Sequence, residues 1–530
     1  MADTTTASPS MMTGAPESER IAPKRLFAFI IMVFGMFMSI LDIQIVSASL
    51  SEIQAGLSAS SSEVSWVQTA YLIAEVIAIP LSGFLSRAFG TRLLFAISAA
   101  GFTASSLLCG FATTIEEMIV WRALQGFLGA GMIPTVFASA YTVFPRTKFH
   151  IVGPIIGLVA TLAPTIGPTV GGYITDLMSW NWLFFINVVP GIGITIGVLA
   201  LVDFDEPQFE LLDRFDWWGL LFMASFLGTL EYVLEEGPQY EWLQDTSVAV
   251  CAAVGFVSAI AFFWRVFTVD EPIVNLRTFS DRNFAVGCTL QFCIGIGLYG
   301  LTYIYPLYLA QVRGYSALMI GETMFVSGIT MFLVAPLVGR LMATLDMRYM
   351  IAFGLIVTFA IGSYQMTWIT REYDFYELLV PQILRGVGMM FAMVPTNNVA
   401  LGTLPPDRVK NASGLFNLMR NLGGAVGLAV INTVLNDRTD LHIARLQERV
   451  TWGNATATET LSMFTQRMQG MGDSAIMAMK QLSQLVHRQA VVMSFGDTFL
   501  MLTLFYLGLS LLVLFVNKPP SMTASGGDAH

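Results

Sequence analysis

Two carboxylates stand inside long apolar stretches of this chain. Asp42 lies in LDIQIVSASL (41–50) and Glu75 in WVQTAYLIAEVIAIPLSG (66–83). An ionised group inside a membrane is costly unless paired or hydrated, so acids placed there are suited to taking up and releasing protons. For Asp42 the competing reading is an interfacial acid beside a water-filled vestibule. Glu75 reads as a proton site, a cation-recognising group, or a permanently protonated structural residue. A third acid, Glu231 in LEYVLEEG (230–237), is either a coupling or cation-binding group or an interfacial anchor. Arg122 follows Trp121 in WRALQGFLGAG (121–131). Its guanidinium does not deprotonate, so it can tune a nearby carboxyl without relaying a proton itself, unless it is only a snorkelling structural charge.

Other chemistries lack their residues. The four cysteines fall inside apolar runs without CxxC spacing, and the four histidines (His150, His442, His487, His530) read as loop and tail residues. No metal site, disulfide or catalytic Ser/His or His/Asp pair is expected, so a membrane-embedded enzyme is disfavoured. No GxxxxGK[ST] nucleotide loop occurs. With net charge −10 and only five lysines, nothing suggests a nucleic-acid partner.

The elements that position these acids follow from composition. Of 530 residues, 55% are hydrophobic and 12% charged, with mean hydropathy +0.66. Lipid is the solvent that makes such a chain stable. Fourteen stretches are long and apolar enough to span: 27–49, 64–86, 93–113, 117–140, 150–173, 181–202, 217–236, 246–267, 285–310, 318–339, 349–369, 377–398, 413–434 and 495–516. Short loops on the side of the termini are rich in Lys and Arg, among them Arg87, Arg92, Arg146, Lys148, Arg340 and Lys518. The short loops opposite hold only Arg313 and Arg371. The positive-inside rule then makes both termini cytoplasmic. No removable signal peptide is read in the small, polar N-terminal stretch. The acidic run 203–216 reads as a solvated connector. The long loop 435–494, on the opposite side, has apolar residues at helical spacing and is expected to hold helices packed on the outer mouth.

A repeat organises the spans. PLSGFLSRAFGTR (80–92) recurs as PLVGRLMATLDMR (336–348), 256 residues later. Six spans with short loops need roughly 190 residues, so the surplus amounts to two inserted spans. The expected fold is an all-α integral membrane protein of two six-helix bundles plus two inserted helices. Its parts are a cytoplasmic tail (1–26), an N-terminal bundle (27–202), a linker with the inserted pair outside the central cavity (203–284), a C-terminal bundle including loop 435–494 (285–516), and a second tail (517–530).

The chain resembles the major facilitator superfamily, in its fourteen-helix drug:proton antiporter branch, and within that branch the EmrB-type multidrug efflux pumps. GFLSRAFGTR (83–92) is similar to the family's gating motif, with Gly83, Gly90 and Arg92 in place. Arg87 stands where the motif has an acid, which puts the usual acidic latch in doubt. GLVATLAPTIGPTVGG (157–172) resembles the antiporter motif through Gly157, Pro164, Gly167, Pro168, Gly171 and Gly172. These give a side-chain-poor helix face able to rock against a partner. The resemblance places an acid at Asp42 and a basic residue at Arg122, with Arg385 as the latter's counterpart. It implies proton-coupled export of hydrophobic or amphipathic drugs from a bacterial cytoplasmic membrane, with no cofactor beyond the proton gradient. It also implies a periplasmic adaptor and an outer-membrane channel as partners. The alternative is export of one physiological compound such as a siderophore, fatty acid or antibiotic. The pocket should lie between the halves, with Gln125, Gln291, Tyr299, Tyr303, Met393, Asn397 and Asn417 as candidate substrate contacts.

Overall fold

The computed structural model describes residues 22–145, 148–269, 271–469 and 473–517; the expected tails beyond them, Arg146 and Lys518 lie outside the described residues. Among the described residues the chain is helical throughout, without strands. Among the described residues fourteen helices are long and apolar enough to cross a membrane. In order they are Pro23–Ser47, Ser62–Ala88, Gly90–Phe111, Ile115–Val143, Phe149–Leu177, Trp182–Leu201, Trp217–Glu236, Thr246–Thr268, Arg282–Arg313, Leu318–Met342, Met347–Trp368, Phe375–Leu401, Pro406–Gln447 and Ser474–Phe515. They are called the first to fourteenth spans. The face carrying Lys148, Arg340 and Lys410 is called the basic face.

Local chemistry sets where the helices start. Ser60 and Glu63 form a reciprocal capping box before the second span, and Asp374 and Glu377 form another before the twelfth. Thr114, Asp216, Asp245, Asp281, Ser316 and Asp346 accept backbone N–H bonds at the starts of six further spans. Each such cap contributes about 1 kcal/mol by satisfying an amide that the helix leaves free. Gly90 turns the chain between the second and third spans at φ +74°, a conformation that a Cβ disfavours.

The thirteenth and fourteenth spans run well past their apolar stretches. The thirteenth continues to Gln447 and the fourteenth begins at Ser474, so most of loop 435–494 is helix projecting from the membrane. A separate helix, Ala455–Arg467, packs against the far end of this hairpin, on the start of the fourteenth span's extension. His442 is therefore no loop residue. It is buried on the extended thirteenth span, and its Nε2 lies 2.9 Å from Asp497 of the fourteenth.

The two halves meet along paired helices. The fifth span packs on the tenth, and the second on the thirteenth. Gly339 of the tenth span comes so close to the fifth that an added Cβ would lie 2.5 Å from the His150 carbonyl. At Gly83, its counterpart in the repeat, a Cβ would lie 3.1 Å from the Asn411 Cα of the thirteenth span. The repeated glycines thus mark the same kind of close crossing in each half. The seventh span packs on the eighth and leans against both the second and the thirteenth.

Candidate functional site: a cavity between the halves

The buried acids fall into two distinct places. Asp42 is fully buried and pairs with Arg122 Nη1 at 2.6 Å. Asn187 Nδ2 donates to its other oxygen at 2.6 Å, and Gln125 Nε2 does so at 3.2 Å. Gln125 also accepts from Arg122 at 2.6 Å and donates to Ser106. Arg122 Nε donates to the Val67 carbonyl at 3.1 Å, and its guanidinium sits 4.3 Å from the Tyr71 ring centroid. The network draws on the first, second, third, fourth and sixth spans. A buried charge is tolerated when paired and hydrogen-bonded, and both conditions hold here. Asp42, Arg122 and Gln125 lie inside the first bundle and do not line the central cavity.

Glu75 does line it. The cavity has a volume of about 500 Å³. Its walls come from the first span (Ile43, Gln44, Ser47), the second (Gln68, Thr69, Leu72, Glu75), the ninth (Tyr299, Thr302, Tyr303) and the thirteenth (Asn421, Gly424, Asn432), with Pro168 from the fifth. Glu75 is only 1% exposed, and its Oε1 has no hydrogen-bond partner among the described residues. Tyr299 and Tyr303 donate to Asn421 and Asn432 at 3.3 and 2.8 Å, which fixes both rings against the cavity. Arg385 is buried and donates to Thr302 on the wall.

The inserted pair was expected outside this cavity. Instead the seventh span closes the gap between the second and thirteenth, and Glu231, Glu235, Glu236 and Gln239 face the cavity. An inserted helix with acids four residues apart, as at 231 and 235, presents them on one face. That spacing was the available signal.

Gln291, Met393, Asn397 and Asn417 sit elsewhere. All are fully buried and none lines it; along their own spans Gln291 and Asn417 lie nearer the basic face than the wall residues Tyr299 and Asn421. Both amide atoms of Gln291 and of Asn397 lack partners among the described residues, as does Asn417 Oδ1. Wall residues outside the candidate substrate contacts include Asn421 and Asn432. With Ala425 and Leu428 they form a stripe at i, i+4, i+7 and i+11, the spacing of one helix face.

The cavity reaches span ends at the face opposite the basic one (Leu50, Ser65, Gln239, Ala310). The basic face is packed shut. Gly83 abuts Asn411, and Lys410 Nζ donates to the Ser86 carbonyl at 3.3 Å. Lys410 also forms an ion pair with Asp205, whose Oδ1 accepts the Thr91 N–H at 3.0 Å. Asp205 belongs to the acidic run read as a solvated connector. Here it ties the start of the third span to the start of the thirteenth, supplying an acid where Arg87 has replaced one. Asp216 of the same run is buried, caps the seventh span and pairs with Arg265 at 3.0 Å. Arg87 lines a polar hollow beside Asp205 and stacks over Phe84, while Arg92 is exposed.

The antiporter-motif glycines are contact points. A Cβ on Gly171 would lie 2.8 Å from the Ile45 carbonyl, and Gly167 abuts Gln44, so these two press the fifth span onto the first. Gly157 faces Val394 of the twelfth. Pro164 and Pro168 sit within an unbroken helix, and Gly172 is buried.

Comparison with known proteins agrees with this architecture. The Major Facilitator Superfamily profile matches residues 32–428. The "Colistin resistance protein EmrB" of Acinetobacter baumannii is 42% identical over 92% of this chain and 96% of its own length. The "Multidrug export protein EmrB" of Escherichia coli K12 is 31% identical over 93% and 96%. The "Fatty acid resistance protein FarB" of Neisseria gonorrhoeae is 28% identical over 93% and 96%. Among solved structures, the human organic anion transporter MFSD10 superposes with a TM-score of 0.57 at 13% identity, over 92% of this chain and all of that one. The proton:xylose symporter XylE gives 0.55, also at 13% identity, over 93% and 99%.

Proposed function

We propose that this chain, which belongs to the major facilitator superfamily and within it to the EmrB-type transporters, is a proton-coupled exporter of hydrophobic or amphipathic drugs. The observation that carries this reading is the cavity between the halves, closed at the basic face and walled by aromatic rings, amides and the buried Glu75. By the charge asymmetry of the loops the basic face is cytoplasmic, so the cavity faces outward; kinship with bacterial export proteins favours the bacterial cytoplasmic membrane. In the opposite state the basic face parts at Gly83 and Gly339. Gln291, Asn397 and Asn417, whose amides lack partners here, then become wall residues.

Glu75 is the proton carrier in this scheme. Drug entering from the cytoplasm displaces its proton, the halves rock along the glycine face of the fifth span, and a proton from outside releases the drug. Tyr71, one helical turn before Glu75 on the second span, carries the Arg122 guanidinium over its ring. The projecting hairpin of the last two spans is the surface available to a periplasmic adaptor and, through it, an outer-membrane channel. FarB's name favours fatty acids as a second substrate reading.

The test is substrate-induced proton release from purified protein in weakly buffered detergent, followed with a pH dye. Ethidium and the neutral dye Nile red should release protons from the native protein and none from Glu75→Gln. Equal release from both proteins would remove Glu75 from the scheme.

A further inference from the structure

The seventh span belongs to neither repeated bundle, yet it forms a wall of the cavity. Glu231 is 3% exposed, and its Oε2 has no hydrogen-bond partner among the described residues. Glu75, on the second span, leaves Oε1 equally unpartnered. Leaving a buried carboxylate oxygen without a donor is unfavourable, so each acid favours a proton or a cation beside it. The two acids differ in company. Arg420 and Arg122 lie close enough to bear on Glu75, whereas among the described residues the charged groups bearing on Glu231 are the carboxylates Glu235 and Glu75. Glu236, beside them, accepts from Thr69 at 3.4 Å. No Lys, Arg or His is among the described residues lining the cavity.

A proton can answer Glu75, which already has cationic neighbours. Glu231 has none, and positive charge on the ligand is the partner its surroundings favour. Tyr299 and Tyr303 add ring faces that attract organic cations. The volume of about 500 Å³ suits one drug-sized molecule.

We propose that the seventh span adds a second cation-reading wall to the cavity, so that the preferred substrates are aromatic dications with one charge at Glu75 and the other at Glu231. This rests on the export reading above and narrows its substrate class. Glu235, one turn further along the same helix face, extends the acidic wall toward the exit.

The test uses probes sharing one aromatic body. Ethidium carries one positive charge, and propidium carries a second on a side arm. Binding to the full-length protein in detergent is read by fluorescence anisotropy, with Nile red as a neutral reference. The native protein should bind propidium about tenfold tighter than ethidium, a difference of about 1.4 kcal/mol. Glu231→Gln should erase that preference while keeping Nile red and ethidium affinity, and Glu231→Asp should restore part of it. Equal affinity for both dyes in the native protein would overturn the proposal. So would a Glu231→Gln protein that loses all three ligands alike while Glu231→Asp keeps all three, since the residue would then be structural. Cells exporting ethidium and Nile red without any propidium preference in the purified protein would sink the dication site and leave the export reading standing. Cells exporting neither dye would sink the export reading itself.

Discussion

Neutralising Asp42 should destabilise the protein far more than neutralising Glu75, although both are buried membrane carboxylates. Asp42→Asn keeps the shape and can still accept from Asn187 and Gln125, but it leaves Arg122 as an unpaired charge at zero exposure. Removing one partner of a buried pair costs about 3–5 kcal/mol. Arg122 keeps its bonds to the Val67 carbonyl and Gln125 and its place over Tyr71, so the loss should sit toward the lower end of that range. Arg122→Gln should cost a similar amount by stranding Asp42. The double variant removes both charges together and should recover at least ~2 kcal/mol relative to the sum of the singles. Glu75→Gln removes no ion pair of this kind and should stay within ~1 kcal/mol of the native protein. The assay is reversible unfolding in mixed micelles of rising SDS fraction, read by tryptophan fluorescence. If Asp42→Asn and Glu75→Gln are equally stable, or the double variant is simply additive, the pairing argument is wrong.

Three further outcomes follow from the same geometry. Gly83→Val and Gly339→Val should force the basic face open, because each Cβ meets backbone of the other half at 3.1 and 2.5 Å; spin-label distances across that face should lengthen, and unchanged distances would refute the crossing. Asp205→Lys or Lys410→Asp alone should raise thiol-reagent access to a cysteine placed at Ser86, while the charge-swapped double variant should restore protection; a swap as open as the singles would show that the pair is no latch. Asp374 is held below the usual carboxylate range, first by the Tyr315 hydroxyl and then by the Phe375 amide. A depressed acid stabilises above its unfolded value and loses that contribution as pH falls through its folded one. The thermal-stability gap between native protein and Asp374→Asn should therefore be full at neutral pH and close in acid; a gap independent of pH would contradict the cap.

What the sequence reveals divides along range. Spans are legible because lipid demands about twenty apolar residues in a row, and the close crossings at Gly83 and Gly339 are legible because the repeat preserves them. Helix in 435–494 is legible from apolar residues at helical spacing, but not that it continues the thirteenth span without a break, so His442 reads as a loop residue while it lies on that extension. Pairings are least legible. Asp42 finds Arg122 and Asn187 at separations of 80 and 145 residues, and Asp205 finds Lys410 at 205. Each acid looks the same in isolation. Only the packing shows that Asp42 is paired inside a bundle, that Glu75 faces the cavity, and that Asp205 pairs with Lys410 across the basic face. The cavity role of the seventh span is hidden for a related reason, because an insertion carries no counterpart in the repeat to locate it.

The central claim is that protons moving through Glu75 drive cargo out of the cavity. Purified protein in liposomes, given an imposed pH gradient and ethidium, tests it most directly. The account predicts ethidium moving against its own gradient in exchange for protons, with Glu75→Gln reduced to the leak of empty liposomes. Ethidium travelling in the same direction as the protons, or undiminished transport in Glu75→Gln, would contradict it.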